Sequence, residues 1–333
     1  MAKADGTIKV GMIGCGGNAR HHMGQLLQMP GVEITALCDT SPKMIEAARK
    51  QHPQLAGVKA YRSHQAMLAK ADLTAVEIST PHTTHFQQIV DSLAAGFDVM
   101  CEKPLVCTVA HCRQAIKQRD QSGKVLMTAY QRHFAAPYRY CREAVQGGRM
   151  GPVQFVSCLQ SQQWYEGCVL TGTWRGKLAL SGGGQLNDSG SHLLDIVMWM
   201  TGVQPQEVHA FIDNLGSEVD ILTALTCRAA GGALLSFSVV GDAVNWLEDI
   251  TIWCKRGTLA IRGGDVIEWS DQYPGRAVPA EKLGRSWSPD LNFIAAIRGE
   301  EEIQTPPEEF LKVIQLTEAA WKSGASGKPV KVK

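Results

Sequence analysis

Two side chains that can handle a proton lie four residues apart, Asp188 and His192, at the start of an apolar, helix-like stretch. A helix turns once in about 3.6 residues, so this spacing predicts that both side chains share one face. Imidazole titrates near neutral pH, which suits His192 to act as a general base. Asp188 can bind a neighbouring hydroxyl group and orient that site. The competing interpretation is a buried histidine behind an acid that stabilises a helix N-terminus.

A glycine-rich turn near the start of the chain has the spacing of a phosphate-binding loop. Its pattern is G-x-G-x-x-A, with Gly14, Gly16 and Ala19 at the key positions and Gly17 and Asn18 between them. The first glycine permits a tight strand-to-helix turn, and the second leaves room for a pyrophosphate beside the helix N-terminus. The alternative is an ordinary glycine turn.

An acidic residue, Asp39, follows this turn at the end of the next apolar run. A carboxylate there can accept hydrogen bonds from both hydroxyls of an adenosine ribose, and it repels a 2′-phosphate. The sequence therefore predicts NAD as the cofactor. Lys43 and Arg49 lie nearby and keep NADP as an alternative.

The elements that must position these residues follow two patterns along the chain. Residues 1–125 alternate between short apolar runs and helix-like stretches, which predicts a doubly wound parallel sheet of the Rossmann type. The predicted strands are 8–13, 32–37, 75–78, 99–101 and 125–129. The predicted helices are 19–29, 42–51, 65–69, 84–95 and 108–121.

Residues 126–333 predict a second, α+β domain with an open, mainly antiparallel sheet. Short turns separate consecutive strand-like runs, as in an antiparallel meander. The predicted strands are 153–159, 208–214, 221–229, 233–240, 247–254 and 258–261. The predicted helices are 187–200, 289–298 and 307–322. An alternative for the last two is that they pack on the first domain.

Four segments together resemble one known family: 14–19, 79–85, 102–104, and 174–175 followed by 182–192. The family is Gfo/Idh/MocA, which includes glucose–fructose oxidoreductase and the inositol dehydrogenases. The resemblance implies a dehydrogenase that moves a hydride between NAD and a hydroxyl-bearing carbon of a sugar, an inositol or a sugar derivative. One departure is His82, which stands where the family commonly has asparagine, so its role is open.

The resemblance also implies roles for individual residues. Lys103 follows the fifth strand at its carboxyl end, where an ammonium group can stabilise a developing alkoxide. The implied catalytic residues are Lys103, His192 and Asp188. The implied cofactor-binding residues are Gly14, Gly16, Gly17, Asn18, Ala19, Asp39, Thr80, Pro81, His82, His85, Glu102 and Lys103. The implied substrate-binding residues are Lys103, Arg132, Trp164, Trp174, Arg175, Asp188 and His192.

Composition argues against several other classes of protein. Lys and Arg number 33 and Asp and Glu 32, so no basic track predicts nucleic-acid binding. The ten cysteines form no C-x-x-C pair and favour a reducing, cytoplasmic setting over a disulfide framework. Adjacent His21 and His22 cannot face one point on a helix, so no metal is expected. No apolar run approaches the length of a membrane span, and the N-terminus has no signal-peptide pattern.

The strands of the second domain are apolar on both faces. In 233–240, Leu235, Phe237 and Val239 share one face, while Leu234 and Val240 lie on the other. A solvated face is normally polar at alternate positions, which predicts a homodimer or homotetramer through this sheet. The rival interpretation is that residues 262–288 fold back over the sheet.

Two alternatives to a dehydrogenase remain from the sequence. One is a lyase or glycosidase with tightly bound NAD, which acts through a transient keto-sugar. The other is a regulator that binds NAD or a sugar without turnover.

Overall fold

The computed structural model describes residues 6–333, which divide into two units. The first unit runs to Val106 and also includes Ala110–Gln131 and Trp287–Phe310. The second unit consists of Cys107–Val109, Arg132–Ser286 and Leu311–Lys333. The sequence predicts a single boundary after residue 125, whereas the chain passes between the two units several times.

The strands are numbered in chain order. They are β1 Ile8–Ile13, β2 Val32–Cys38, β3 Lys59–Tyr61, β4 Ala75–Ile78, β5 Asp98–Cys101, β6 Leu126–Thr128, β7 Val153–Gln163, β8 Pro205–Asp213, β9 Leu222–Ala229, β10 Leu234–Val240, β11 Asp242–Cys254, β12 Gly257–Arg262, β13 Asp265–Trp269, β14 Pro274–Ala277 and β15 Val330–Lys331.

The helices are numbered in the same way. They are α1 Gly17–Leu26, α2 Pro42–Gln51, α3 His64–Lys70, α4 His82–Ala94, α5 Val109–Ser122, α6 Ala136–Gln146, α7 Leu178–Ser181, α8 Gly190–Thr201, α9 Ala280–Leu283, α10 Pro289–Ile297 and α11 Pro307–Ser326.

The first unit contains a six-stranded sheet in the order β3-β2-β1-β4-β5-β6, and all its pairs are parallel. This confirms the predicted doubly wound fold. The central strands are apolar because helices cover both faces of such a sheet. Val10 and Met12 in β1 are fully buried, as are Ala75 and Val76 in β4. The edge strand β3 was not predicted, because two of its three residues are exposed and it has no apolar run.

The second unit contains a nine-stranded sheet in the order β14-β13-β12-β11-β7-β10-β9-β8-β15. It is mainly antiparallel, as predicted, but the simple meander is wrong. Strand β7 comes from earlier in the chain and lies between β10 and β11, parallel to β10 and antiparallel to β11. Helix α6 was also missed, because it buries mainly small residues and its other positions are polar or aromatic.

The two faces of this second sheet differ in exposure. Leu235, Phe237 and Val239 are buried, on the side where α8 packs against β7. The register aligns Leu234, Phe155 and Trp253 in one row across β10, β7 and β11. These three side chains are 38–41% exposed. The open face therefore carries one apolar row, and the next row of the same face is polar, with Ser236, Ser157 and Thr251.

Residues 265–277 do not cover this open face as a folded-back loop. They form β13 and β14 and extend the sheet at its edge. Within residues 6–333, no helix is both long and apolar enough to cross a membrane.

Candidate functional site

The glycine turn between β1 and α1 is shaped by close backbone packing. Gly14 has a φ of +102°, and a Cβ at this position would lie 2.2 Å from the carbonyl oxygen of Ser79. Only glycine fits both restrictions. Nothing lies within 4 Å of a Cβ built on Gly16 or Gly17, so the N-terminus of α1 is open to a phosphate group. These residues fit the pyrophosphate of a dinucleotide.

Asp39 follows β2 and holds this turn. Its Oδ2 accepts a hydrogen bond from the amide of Cys15 at 2.9 Å, and its Oδ1 accepts one from the amide of Ser41 at 2.7 Å. Each carboxylate oxygen has a second lone pair, which can accept a hydrogen bond from a ribose hydroxyl. The sequence predicted the contact with ribose but not the contact with the turn.

The segment after β4 leads into α4. His82 is the first residue of that helix and is 3% exposed, and Pro81 occupies the cap position before it. Thr80 Oγ1 donates a hydrogen bond to Gln88 Oε1 at 2.6 Å. Thr84 Oγ1 donates one to the carbonyl oxygen of Pro81 at 2.7 Å. These bonds fix the loop that the resemblance assigns to the cofactor.

His85 has a different place from the one that the resemblance implies. It is fully buried, and its two ring nitrogens each lie 2.9 Å from a backbone carbonyl oxygen, those of Pro104 and Thr80. Burial lowers the pKa of this imidazole. His85 therefore holds the loop after β4 against the loop after β5, and its assignment as a direct cofactor contact stays a prediction.

Lys103 lies just after β5, at the carboxyl end of the parallel sheet, and is 8% exposed. Its amide donates a hydrogen bond to Glu102 Oε2 at 3.0 Å. Burial opposes the ionisation of Glu102, but the hydrogen bond and the charge of His22 outweigh it and keep the pKa of Glu102 below its usual value. Ligands bind at this edge of open α/β sheets, so Lys103 is placed where the sequence predicts.

In the second unit, Asp188 is 4% exposed and held by two donors. Its Oδ2 accepts hydrogen bonds from Trp164 Nε1 at 2.9 Å and from Arg175 Nε at 3.0 Å. The sequence predicts Asp188 on a helix, but α8 begins only at Gly190. Asp188 lies in the turn before it, which the amide of Gly190 closes by donating a hydrogen bond to the carbonyl oxygen of Gln185. His192 lies in the first turn of α8.

Two residues that the resemblance implies as substrate-binding, Trp164 and Arg132, bind other side chains of the second unit. Trp164 is 1% exposed and packs with Val219 and Ile221. Its indole N–H donates to Asp188, so it positions that carboxylate. Arg132 Nη2 lies 2.6 Å from Glu248 Oε2 in a buried ion pair. The roles of Trp164 and Arg132 in binding a sugar stay predictions.

The remaining two predicted substrate residues lie together. The guanidinium of Arg175 stacks 4.5 Å from the ring of Trp174, and its Nε also bonds to Asp188. Both side chains are partly exposed. Their role in binding a substrate stays a prediction.

Asp220 was not predicted from the sequence. It precedes β9 and fixes the loop leading to Asp188. Its carboxylate accepts hydrogen bonds from the amides of Gly184 at 2.9 Å and Leu186 at 2.7 Å, and from Trp321 Nε1 at 3.0 Å. A Cβ on Gly184 would lie 2.0 Å from the carbonyl oxygen of Asp220. No sequence signal identifies this residue, because its partners are distant in the chain and two are backbone groups.

The parallel sheet, the glycine turn and Asp39 define an NAD-binding Rossmann unit. The chain belongs to the GFO/IDH/MocA family. The model described as "Oxidoreductase family, NAD-binding Rossmann fold" matches residues 8–130, and the model of the GFO/IDH/MocA C-terminal domain matches residues 138–260. This confirms the resemblance found in the sequence.

Curated relatives are distant. The rhizopine catabolism protein MocA of Rhizobium meliloti is 28% identical over 198 residues, which cover 60% of this chain and 58% of that protein. The chain spans about half the length of the first curated relatives it matches (58%, 42% and 55%). The D-apiose dehydrogenase of Paraburkholderia graminis is 25% identical over an alignment that covers 98% of this chain and 90% of that protein.

Among solved structures, the WlbA dehydrogenase of Chromobacterium violaceum, in complex with NADH and UDP-GlcNAcA, is similar throughout. Its TM-score is 0.87 at 25% identity, and the alignment covers 100% of this chain and 98% of that one.

Proposed function

We propose that the protein is an NAD-dependent dehydrogenase that acts on a hydroxyl-bearing carbon of a sugar, an inositol or a sugar derivative. The observation that carries this proposal is the Asp188 carboxylate, fixed by Trp164 and Arg175 just before the helix that bears His192. A rigid acceptor four residues before an imidazole in the chain suits a substrate with neighbouring hydroxyl groups. The named activities of relatives, which include an inositol 2-dehydrogenase and a D-glucoside 3-dehydrogenase, support the same substrate class.

Each of three side chains has one role in the proposed reaction. Bound NAD supplies the acceptor for the hydride. His192 takes the proton from the reacting hydroxyl group as the general base. The ammonium of Lys103 donates a hydrogen bond to the same oxygen and stabilises its negative charge. Asp188 accepts a hydrogen bond from a neighbouring hydroxyl and so orients the substrate.

We also propose that Asp39 makes the protein prefer NAD to NADP. Both of its oxygens already accept a backbone hydrogen bond, so the carboxylate is fixed in place. A 2′-phosphate beside a fixed carboxylate is repelled.

The apolar row on the open face of the second sheet supports a homodimer, or a homotetramer built from such dimers. In this dimer a second copy of the chain covers the open face. Leu234, Phe155 and Trp253 form a continuous row on this face. Contiguous apolar patches larger than a few hundred Å² are uncommon on monomers.

The ten free cysteines, none of them exposed, support a reducing compartment such as the cytoplasm.

A panel of sugars, inositols and anhydrosugars tests the proposed function. NADH absorbance and product mass are measured in parallel, with Lys103→Ala as the inactive control. We expect NADH to accumulate with a product that has lost two hydrogen atoms. Elimination products without net NADH would instead identify the lyase or glycosidase, and tight NAD binding without turnover would identify the regulator.

A further inference from the structure

Four ionisable side chains meet in the interior of the first unit. They are His22 on α1, Glu77 on β4, Glu102 after β5 and Asp290 on α10. His22, Glu77 and Asp290 are at most 4% exposed. Buried charges are costly unless they are paired, so we expect these four side chains to pair with one another and to have a structural or functional role.

Both ring nitrogens of His22 face carboxylate oxygens. Nδ1 lies 2.8 Å from Asp290 Oδ1, and Nε2 lies 3.3 Å from Glu102 Oε1 and 3.9 Å from Glu77 Oε1. A neutral imidazole carries one N–H, whereas two hydrogen bonds to carboxylates need two. Two carboxylate acceptors on one ring therefore favour the imidazolium form, whereas the two acceptors of His85 are uncharged carbonyl oxygens.

The electrostatic surroundings agree with this charge state. Burial alone would lower the pKa of His22, but the charges of Asp290 and Glu77 and the two hydrogen bonds raise it well above its usual value. Burial raises the pKa of Glu77 to about 7, although the charge of His22 and a hydrogen bond from Ser79 oppose this.

Glu102 connects this buried group to Lys103. Its Oε1 faces His22 Nε2, while its Oε2 accepts the hydrogen bond from the amide of Lys103 at 3.0 Å. The carboxylate is thus fixed at both oxygens, and one of them fixes the backbone that carries the lysine. Without the imidazolium, no cation would lie between the carboxylates of Glu102 and Asp290, and the two negative charges would repel each other.

We propose that His22, held by Asp290, is a positioning residue for Lys103 and acts through the Glu102 carboxylate. The inference rests on the catalytic role proposed above for Lys103. A shift of about 1 Å in a reacting group costs on the order of 10²-fold in rate, so a loosened Glu102 has a measurable effect.

The test compares His22→Gln and Asp290→Asn with His21→Gln, a control at the exposed neighbouring position. We expect His22→Gln and Asp290→Asn each to lower kcat by roughly 10–100-fold, with the Kd of NAD changed by less than about threefold. The double variant should be no worse than the poorer single variant, because both changes act through one carboxylate. The control should keep full turnover.

A second measurement needs no substitution. ¹⁵N NMR of the histidine rings in the unmodified protein should show one ring with protons on both nitrogens at neutral pH, and this signal should disappear in His22→Gln. A neutral His22 ring, or normal kcat in a folded His22→Gln variant, overturns the inference. Normal turnover in Lys103→Ala would instead overturn the proposed function, so the two failures are distinguishable.

Discussion

Replacing Asp220 by alanine should destabilise the second unit strongly. The change leaves three donors without their acceptor, the amides of Gly184 and Leu186 and Nε1 of Trp321. An unsatisfied buried donor costs about 1–3 kcal/mol, so the three together could cost about 3–9 kcal/mol. A cavity of about 470 Å³ is lined by Asp220 and Trp321 and lets water reach the indole, so we expect the lower half of this range.

Urea-induced unfolding, followed by tryptophan fluorescence, measures this loss. Trp321→Phe is the matched control, because it removes one donor and keeps an aromatic ring, and it should cost about 1 kcal/mol. Turnover should fall in Asp220→Ala even where the variant is folded, since the freed loop leads directly to Asp188. A loss below about 1 kcal/mol for Asp220→Ala would refute the reasoning.

The pH dependence of stability gives a further check on Asp220. Burial raises its pKa above the usual 3.8, although its three hydrogen bonds oppose this. The folded protein therefore holds this proton more tightly than the unfolded chain does. Its contribution to stability falls as the pH rises from the unfolded pKa to the folded pKa and is constant above that. Asp220→Asn should remove this slope, and an unchanged slope would contradict the assignment.

The remaining predictions concern the cofactor, catalysis and assembly. Asp39→Ala should narrow the preference for NAD, and equal Kd values for NAD and NADP in the unmodified protein would show that the preference does not exist. Lys103→Ala and His192→Ala should each lower kcat by roughly 10²–10⁴-fold while NAD still binds, as titration of protein fluorescence can show. Light scattering of the unmodified protein should give at least twice 36.2 kDa, and Trp253→Asp should reduce it to 36.2 kDa. A monomeric unmodified protein would rule the interface out.

The choice of Trp253 for this test comes from the structure. The sequence shows that both sheet faces are apolar but not which one is covered, and from the pattern alone Phe237→Asp is the substitution predicted to separate two copies. The structure buries Phe237 completely, so Phe237→Asp would unfold the unit instead of separating two copies.

The glycine turn and Asp39 could be predicted because their chemistry is set by residues close in sequence. The same holds for β1, β4 and α2, whose predicted bounds match the observed ones. Asp220 and Asp290 could not be predicted, because each acts on groups that lie far away in the chain. The strands β13, β14 and β15 were missed because they are short, with five, four and two residues. They lie at or next to an edge of the sheet, where pairing with a neighbour defines a strand more than composition does.

The return of residues 287–310 to the first unit has a consequence for biosynthesis. Thr305 bonds to both backbone groups of Thr128 at the edge of β6, and Asp290 meets His22 from 268 positions further along the chain. At synthesis rates of about 5–20 residues per second, His22 is synthesised roughly 13–54 s before Asp290. His22 and the edge of β6 are therefore without these partners while strands β7 to β14 of the second sheet are being translated.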